Sequence, residues 1–558
     1  MRPGPPRSTP VTGLVWPVLL ITAIGLPLLW SGGAAVMAGA DPAAWRILLG
    51  GHSTWMALAL SIWTGVAATV LTVVVSAWLL ARNFPGPGWP GVVRVLGPML
   101  ATPHTAFAIG MVFLLAPSGW LLRLFSPWAT GFSAPPPWST TQDPWGLGLI
   151  AVLVAKEVPF LLWVSASQLR RTEEAQRLVL DLQVARSMGY AAGTAWWRVV
   201  WPQLWPRLRW PMLAVLAYSM TVVDLALVIG PGSPPTLAVL AWTWLLDADL
   251  ATNTQGAAAA WLLAFAVAIA ACLFRWLASW SAWSRRRTSG RRGSLRATHR
   301  VSAASRGIAV LVGLYLVVML ALAVGSVSGV WAFPALLPQT FSFDAWHSVA
   351  ASASTIVTTL TLGLASAVGA LLWSVAWLET APRHWDALLR RIAYLPLVLP
   401  PVLWVIGVHA TTLSLGMDAR WVGLWLAHTL ACVPYVLIAL SPAYSGFDPR
   451  YRFISATLSR GRAAFLWQVK WPLLRASLAS ALAVGFAVSV AQYLPTLFIG
   501  AGRFATVTTE AVTLASGAQR SLTSAYAWLQ WLLPVFGFSL AAWAGKPRRF
   551  RSVAGAAV

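Results

Sequence analysis

Charged residues are scarce in this chain of 558 residues, and acidic residues are the scarcest. Only 10% of the residues carry charge, against about 25% in ordinary soluble domains. A chain that is 58% apolar cannot present a water-compatible surface, which excludes a soluble enzyme and a disordered tail. The two cysteines, Cys272 and Cys432, both lie in apolar segments, so neither a disulfide framework nor a set of zinc ligands is expected.

Basic residues outnumber acidic ones by 39 to 15, which gives a formal net charge of +24. They form short clusters between long apolar runs, a pattern typical of membrane proteins and not of nucleic-acid binders. The 36 Trp residues suit the bilayer interfaces, where an apolar ring with a polar edge is stable. We therefore expect lipid, and no nucleic acid, around this chain.

Twelve stretches are long enough for transmembrane helices, which need about 20 mostly apolar residues to cross roughly 30 Å of hydrocarbon. In the first half they lie near residues 12–30, 54–81, 92–116, 146–168, 210–230 and 257–283. In the second half they lie near residues 307–330, 347–378, 391–414, 421–443, 476–500 and 522–544. The predicted fold class is an all-α polytopic membrane protein with two six-helix units.

Lys and Arg are distributed unevenly between the two sides of these spans. One side, which carries both termini, the 2–3 and 4–5 connections of each half and the central linker, holds 33 of the 39. That side is predicted to be cytoplasmic. The opposite side holds only Arg46, Arg123, Arg420, Arg503 and Arg520. The first apolar run exceeds the 7 to 15 or so residues of a signal peptide, so we expect it to remain as an uncleaved helix.

The second half repeats the first. At an offset of 270, Trp201-Pro202 falls on Trp471-Pro472, and Thr236 falls on Thr506. Earlier in each half the offset is 297, where Pro103 and Gly110 meet Pro400 and Gly407. An even number of spans per unit gives both copies the same orientation, with a pathway predicted between them.

The repeat divides the chain into four segments. Residues 1–283 form a first unit, 284–306 a basic cytoplasmic linker, 307–546 a second unit and 547–558 a cytoplasmic tail. The linker is rich in Arg, Ser and Gly, which is typical of a solvated connection.

The most informative segment is the connection between the fourth and fifth spans of each half, at about 170–209 and 445–475. In each copy a small residue, Gly189 or Ser459, stands thirteen positions before a proline, Pro202 or Pro472. A small residue after a short helix permits a sharp turn, and the proline marks the start of the next span. Such a segment can dock into the groove of another protein.

These loops resemble the cytoplasmic loop of ABC importer permeases, which reads E-A-A, three residues, G, nine residues, I, one residue, L-P. The first copy matches at Ala185, Gly189 and Pro202, with Val199 in place of Ile. The second copy has Ser455, Ser459, Val469 and Pro472 at the same positions. The acidic residue is replaced by Gln183 and Phe453.

The resemblance covers nearly the whole chain and is closest to fused permeases of the ferric-iron and thiamine type, particularly a thiamine-like branch. It implies that each loop is a coupling helix seated in a cleft of a separate ATPase subunit, with two such subunits per chain. It also implies an external solute-binding protein, a bacterial inner membrane and a thiamine-like or ferric-iron solute.

The chain is expected to lack an ATP site of its own and any cofactor, so that ATP binds to the partner subunit. A phosphate-binding loop needs the pattern G-x-x-x-x-G-K-[ST], and none of the three lysines, Lys156, Lys470 and Lys546, has that context. No catalytic or metal-ligating constellation appears either, so this chain is not expected to be an enzyme.

Polar residues within the spans are the candidates for lining a pathway. A charge in hydrocarbon costs about 2.5–3.5 kcal/mol on insertion scales, so Lys156, Glu157 and Asp224 should face protein or water. The favoured interpretation is structural: Lys156 pairs with Glu157 or Asp224 and holds helices together. For Asp224, a place in the lining of the pathway is an equally good interpretation. Its counterpart is Leu494, just after Gln492 and Tyr493. His104, His409 and His428 are interpreted as satisfied core residues.

Three other interpretations remain open from sequence alone. The loops are also compatible with basic amphipathic helices that lie on lipid headgroups. A twelve-span secondary transporter would show the same six-plus-six repeat, although the loops at 82–86 and 381–384 lack the expected Gly/Arg-rich pattern. The third interpretation is an intramembrane enzyme or a scaffold, in which the duplicated loop would have no obvious function.

Overall fold

The computed structural model describes residues 15–169, 172–284, 301–458, 461–517 and 519–546, and the regular elements in these ranges are helical. The first half contains α1 (Val15–Ala38), α2 (Pro42–Gly50), α3 (His52–Asn83), α4 (Trp89–Ala101), α5 (His104–Leu115), α6 (Trp120–Phe125), α7 (Leu147–Leu169), α8 (Thr172–Ser187), α9 (Ala192–Ala195), α10 (Trp201–Thr221), α11 (Asp224–Ile229), α12 (Leu237–Leu245) and α13 (Leu250–Ser284).

The second half follows the same plan. It contains α14 (Val301–Ser326), α15 (Asp344–Ala351), α16 (Ala353–Thr380), α17 (Asp386–Ala393), α18 (Leu395–Val398), α19 (Pro401–Ser414), α20 (Trp421–Ser445), α21 (Arg450–Thr457), α22 (Arg462–Phe465), α23 (Trp471–Leu473), α24 (Arg475–Val490), α25 (Leu494–Gly500), α26 (Val507–Ala515) and α27 (Arg520–Gly545). π-helical turns at Trp196–Val200 and Leu466–Lys470 precede α10 and α23.

Nine helices in the described ranges are long and apolar enough to cross a membrane, and a bent pair, Arg462–Leu473 with Arg475–Val490, brings the number to ten. The polytopic, all-helical fold is thus confirmed. The predicted spans 92–116, 210–230, 391–414 and 476–500 coincide with interrupted helices. Interrupted helices occur at membrane depth only where protein or a water-filled cavity covers the freed backbone groups.

The internal repeat of the sequence is also visible in the element boundaries. At the offset of 270, α11 and α25 begin together, α12 and α26 begin and end together, and the two π-helical turns coincide. Equivalent hydrogen bonds fix α12 and α26: the Leu237 amide donates to Ser61 Oγ, and the Val507 amide donates to Thr359 Oγ1, both at 2.9 Å. The two halves therefore share local architecture as well as sequence.

The first helix of each half crosses over to the other half. Helix α1 packs on α19, where Ser31 Oγ lies 2.9 Å from Thr411 Oγ1. Helix α14 packs on α5, and the Tyr315 hydroxyl donates to the Ala155 carbonyl at 3.1 Å. The repeat-related glycines permit both crossings. A Cβ on Gly407 would lie 2.7 Å from the Ser31 carbonyl carbon, and one on Gly110 would lie 2.6 Å from Val318 Cγ1.

Gly407→Ala should therefore destabilise the fold by about 1–3 kcal/mol, because the new methyl group meets the α1 backbone and not a flexible side chain. Thermal unfolding of the purified chain in detergent measures the effect. Gly313→Ala on α14 is the matched control, since a Cβ there meets nothing within 4 Å. Equal unfolding temperatures for the two variants would contradict the proposed tight crossing of α1 and α19.

Candidate functional site

Each half carries a bent segment between its fourth and fifth spans, which we call an elbow: residues 172–202 in the first half and 450–472 in the second. The first elbow turns at Gly189, whose φ of +84° lies in the left-handed region that favours glycine. The Tyr190 amide donates to the Ala185 carbonyl at 3.2 Å, which closes the end of α8. The predicted sharp turn is thus present at Gly189. Ser459 lies outside the described residues.

The small residues of the two loops face the protein. Ala185 and its counterpart Ser455 are both buried, and in the first elbow Leu178 and Leu182 are buried on the same side of α8. In the first elbow this face packs mainly on α9 and on the π-helical turn of the same elbow, so it is not available to a partner. Sequence pattern alone does not reveal which face of the helix each small residue occupies.

The opposite face of each elbow exposes apolar side chains at matching positions. Val184 and Met188 on the first elbow are more than half exposed, and so are their counterparts, Ile454 and Leu458, on the second. Exposed apolar groups that recur at equivalent positions indicate an interaction surface. We call these four residues the docking pairs.

The end of each elbow is a π-helical turn that leads into a proline. Val199 and Val469 lie within these turns and are half-buried. The Trp201 amide bonds to the Trp196 carbonyl, and the Trp471 amide bonds to the Leu466 carbonyl. A proline ring clashes with the carbonyl four residues earlier, and the wider turn makes room for Pro202 and Pro472.

Lys156 occupies a structural position. Its ammonium donates to the Met99 carbonyl at 3.0 Å and to the Thr102 carbonyl at 2.6 Å. The Met99 carbonyl would otherwise bond to the amide of residue 103, but Pro103 has no N–H. Lys156 therefore satisfies backbone carbonyls at the interruption between α4 and α5. The partner predicted from the sequence is a carboxylate, Glu157 or Asp224.

Glu157 faces a second group of polar residues near the middle of the membrane. Its Oε1 lies 3.3 Å from Nε2 of His104, whose side chain is 39% exposed. The His104 ring meets the Tyr218 ring edge-on, with the centroids 5.2 Å apart. The half-exposed His104 thus differs from the core residue expected from the sequence. His428 fits that expectation, because it is buried between Ser489 Oγ at 2.8 Å and Thr496 Oγ1 at 3.0 Å.

Residues of both halves meet at this depth. Tyr218 lies within electrostatic reach of Asp224, Glu157 and Tyr435. Tyr493 lies within electrostatic reach of Asp224. We call these residues, with His104, the midplane cluster. Sites near the bilayer midplane at the interface of two repeats are typical of transporters.

Three of the four predicted pathway residues, Asp224, Glu157 and Tyr493, belong to this cluster. The fourth, Gln492, adjoins it, and its backbone carbonyl accepts a hydrogen bond from Thr496 Oγ1 at 3.0 Å. Sequence reasoning missed Tyr218 and Tyr435. Both tyrosines lie within predicted spans, which could have marked them as pathway residues. Tyrosine is too common at membrane interfaces, however, for such a position to be specific. Among the described residues, no group of three His, Cys, Asp or Glu side chains could hold a metal ion.

A cavity of about 660 Å³ opens at the end of the molecule away from the elbows. It is lined by both halves, and its lining includes Phe113, Trp120, Gln142, Val228, Trp331, Asp344, Ser348 and Arg520. Val228 is one helical turn from Asp224 on α11. The cavity therefore extends towards the midplane cluster.

Comparison with known proteins identifies one relative of nearly the whole chain and others of parts of it, although no family model matches it. The chain is 34% identical over 541 residues to the inner membrane ABC transporter permease protein YnjC of Escherichia coli strain K12, across 94% of this chain and 97% of that protein. It is 28% identical over 184 residues to the ferric transport system permease protein FbpB of Actinobacillus pleuropneumoniae, across 29% of this chain and 26% of that protein.

A shorter relative matches only part of the chain. The molybdenum transport system permease protein ModB of Azotobacter vinelandii is 27% identical over 211 residues, across 35% of this chain and 93% of that protein. The resemblance that the two loops indicate in the sequence is confirmed by these relatives.

If the midplane cluster borders water, a thiol placed there should react with water-soluble reagents. In a variant whose natural cysteines are replaced, Tyr435→Cys should react at least several-fold faster with a cationic methanethiosulfonate than with an anionic one, because Glu157 and Asp224 attract the cation. Tyr435 is 41% exposed, so the native side chain already reaches accessible space.

Asp224→Asn should reduce this preference in the same labelling assay. The buried native Cys432, tested as the single remaining cysteine, is the unreactive control. No labelling of the Tyr435→Cys variant, or equal rates with both reagents, would contradict a water-filled cluster that favours cations.

Proposed function

The chain belongs to the ABC importer permeases, and we propose that its two halves enclose one solute pathway that a separate pair of ATPase subunits opens and closes. The observation that carries this proposal is the recurrence of the docking pairs. Val184 and Ile454 are equivalent in the repeat and equally exposed, as are Met188 and Leu458. Two matched apolar surfaces on one chain fit two copies of the same partner.

The pathway is proposed to run between the halves through the midplane cluster. The interrupted helices α10 and α11 place Asp224 there, and unwound helices near the midplane are a common way to build a solute site in transporters. The polar cavity at the far end supplies a route towards the cluster from the outer side. Movement of one half against the other would then alternate access.

The proposed topology has twelve spans, six in each unit, with the interrupted helices counted as spans. The units are residues 1–283 and 307–546, joined by the basic linker 284–306 and followed by the tail 547–558. Both termini, the linker and the elbows lie in the cytoplasm, as the distribution of Lys and Arg supports. The chain is a multi-pass inner membrane protein, and ATP binds to its partner.

An external solute-binding protein is proposed to deliver the solute, for which a thiamine-like compound or ferric iron is the best candidate. Two carboxylates in the midplane cluster favour a cationic solute, because the Lys156 ammonium is already bonded to backbone carbonyls. The binding protein would set most of the specificity.

Two alternatives predict different behaviour. A secondary transporter would move solute in vesicles that contain only this chain and a proton gradient. Elbows that lie on lipid headgroups would show no dependence on an ATPase. The duplicated, exposed apolar pairs disfavour a secondary transporter, which has no use for them. Association with the ATPase distinguishes a docked elbow from one that lies on lipid.

The double variant Val184→Glu and Ile454→Glu should lose the ATPase during purification from native membranes, because each glutamate brings a charge into an apolar contact. Recovery of the ATPase with the tagged chain, measured by quantitative mass spectrometry, should fall by at least about tenfold. Membrane insertion should be unchanged, since both side chains point away from the protein core.

Gln183→Glu is the matched control. It adds the same charge on the same exposed helix, one residue from Val184, and restores the acid of the family pattern, so ATPase recovery should persist. Normal recovery from the double variant would contradict the docking role, and proton-driven transport without any ATPase would favour a secondary transporter.

A further inference from the structure

The second elbow is tied to the transmembrane helices by a carboxylate that lies outside the elbow. Glu379, at the end of α16, accepts from Lys470 Nζ at 2.6 Å and lies 3.4 Å from Arg462 Nη2. The same Arg462 nitrogen donates to the Glu379 backbone carbonyl at 2.9 Å. Arg462 begins α22 and Lys470 ends the π-helical turn, so one side chain holds both ends of the segment.

A third helix joins the same group. The Tyr444 hydroxyl, at the end of α20, donates to Glu379 Oε2 at 3.0 Å. The Trp471 indole donates to that hydroxyl at 3.2 Å, and Lys470 Nζ lies 3.9 Å from the centroid of the Tyr444 ring. Three parts of the second half, α16, α20 and the elbow, therefore meet around Glu379.

This ion pair is shielded from water. The side chains of Glu379 and Lys470 are 17% and 13% exposed. Exposed ion pairs contribute little because water and salt screen them, but a shielded pair with further hydrogen bonds attracts more strongly. The Glu379–Lys470 pair is therefore a stronger attachment than an exposed ion pair would be.

The first elbow has no such group at the equivalent positions. At the offset of 270, Arg462 and Lys470 correspond to Ala192 and Val200, and Val200 is buried. Aligning Ser61 with Thr359 places Ala81 opposite Glu379. Aromatic rings pack there: those of Trp196 and Trp201 are 6.0 Å apart, and those of Trp201 and Trp205 are 5.6 Å apart. The Arg198 guanidinium lies 5.5 Å from the centroid of the Tyr190 ring.

We propose that Glu379 is the positioning residue of the second elbow, an ionic latch that passes movement of the docked ATPase to α16 and α20. The first elbow has uncharged residues at the three equivalent positions, so this latch belongs to the second elbow alone. The two halves are thus coupled to the motor by different contacts. This inference rests on the proposed function, because it assumes an ATPase at the elbows.

Hydrogen exchange of the full chain in lipid nanodiscs tests the latch. Glu379→Gln keeps the shape and removes the charge, so amides at 462–473 should exchange about tenfold faster, while residues 172–202 remain unchanged. Lys470→Gln removes the other half of the same pair, so it should raise exchange similarly and add little to Glu379→Gln in the double variant. Asp181→Asn is the control in the first elbow, where Asp181 accepts from Gln203 at 3.2 Å and no change at 462–473 is expected.

The rate of MgATP hydrolysis by the complex with its co-purifying ATPase tests the coupling. Glu379→Gln should lower this rate several-fold without reducing the amount of ATPase recovered, and Lys470→Gln should have the same effect. Unchanged exchange at 462–473 would overturn the latch. Faster exchange with a normal hydrolysis rate would overturn its role in coupling. A wild-type chain that recovers no ATPase would instead contradict the proposed function itself.

Discussion

The lack of water in the bilayer core decides where this chain can interrupt its helices. Every freed backbone group there needs a partner from the protein or from a water-filled cavity. Lys156 supplies that partner at the break before Pro103, with bonds to the Met99 and Thr102 carbonyls. The break before Asp224 lies instead beside half-exposed polar side chains. One interruption is thus sealed by a structural cation, and the other borders the proposed pathway.

The centre of the molecule and the elbows meet different structural requirements. The centre has to combine polar groups from both halves, and the crossing helices α1 and α14 hold the halves together through the close approaches at Gly407 and Gly110. Each elbow has to hold its own shape and leave a surface free for a partner. Buried Ala185 and Ser455 serve the first requirement, and the docking pairs serve the second.

Much of this arrangement could be predicted from the sequence because repetition carries it. The offset of 270 aligns the elbows in the sequence itself, and Gly189 indicates a sharp turn. The family followed from those two loops. Partners in space were harder to predict: the contact of Glu157 with His104, of Lys156 with backbone carbonyls and of Glu379 with Lys470 depends on how helices rotate and pack. Spacing along one chain does not determine that rotation. The interrupted spans were likewise predicted as continuous, because hydropathy does not detect a break of one to three residues.

The central claim is that both elbows contact the same kind of motor protein. Photo-crosslinking in native membranes, with a photoreactive amino acid at position 188 in one variant and at position 458 in another, tests it most directly. We expect each variant to form a covalent product with one ATPase protein, and both products to contain the same protein. Products with lipid alone at both positions would contradict this account.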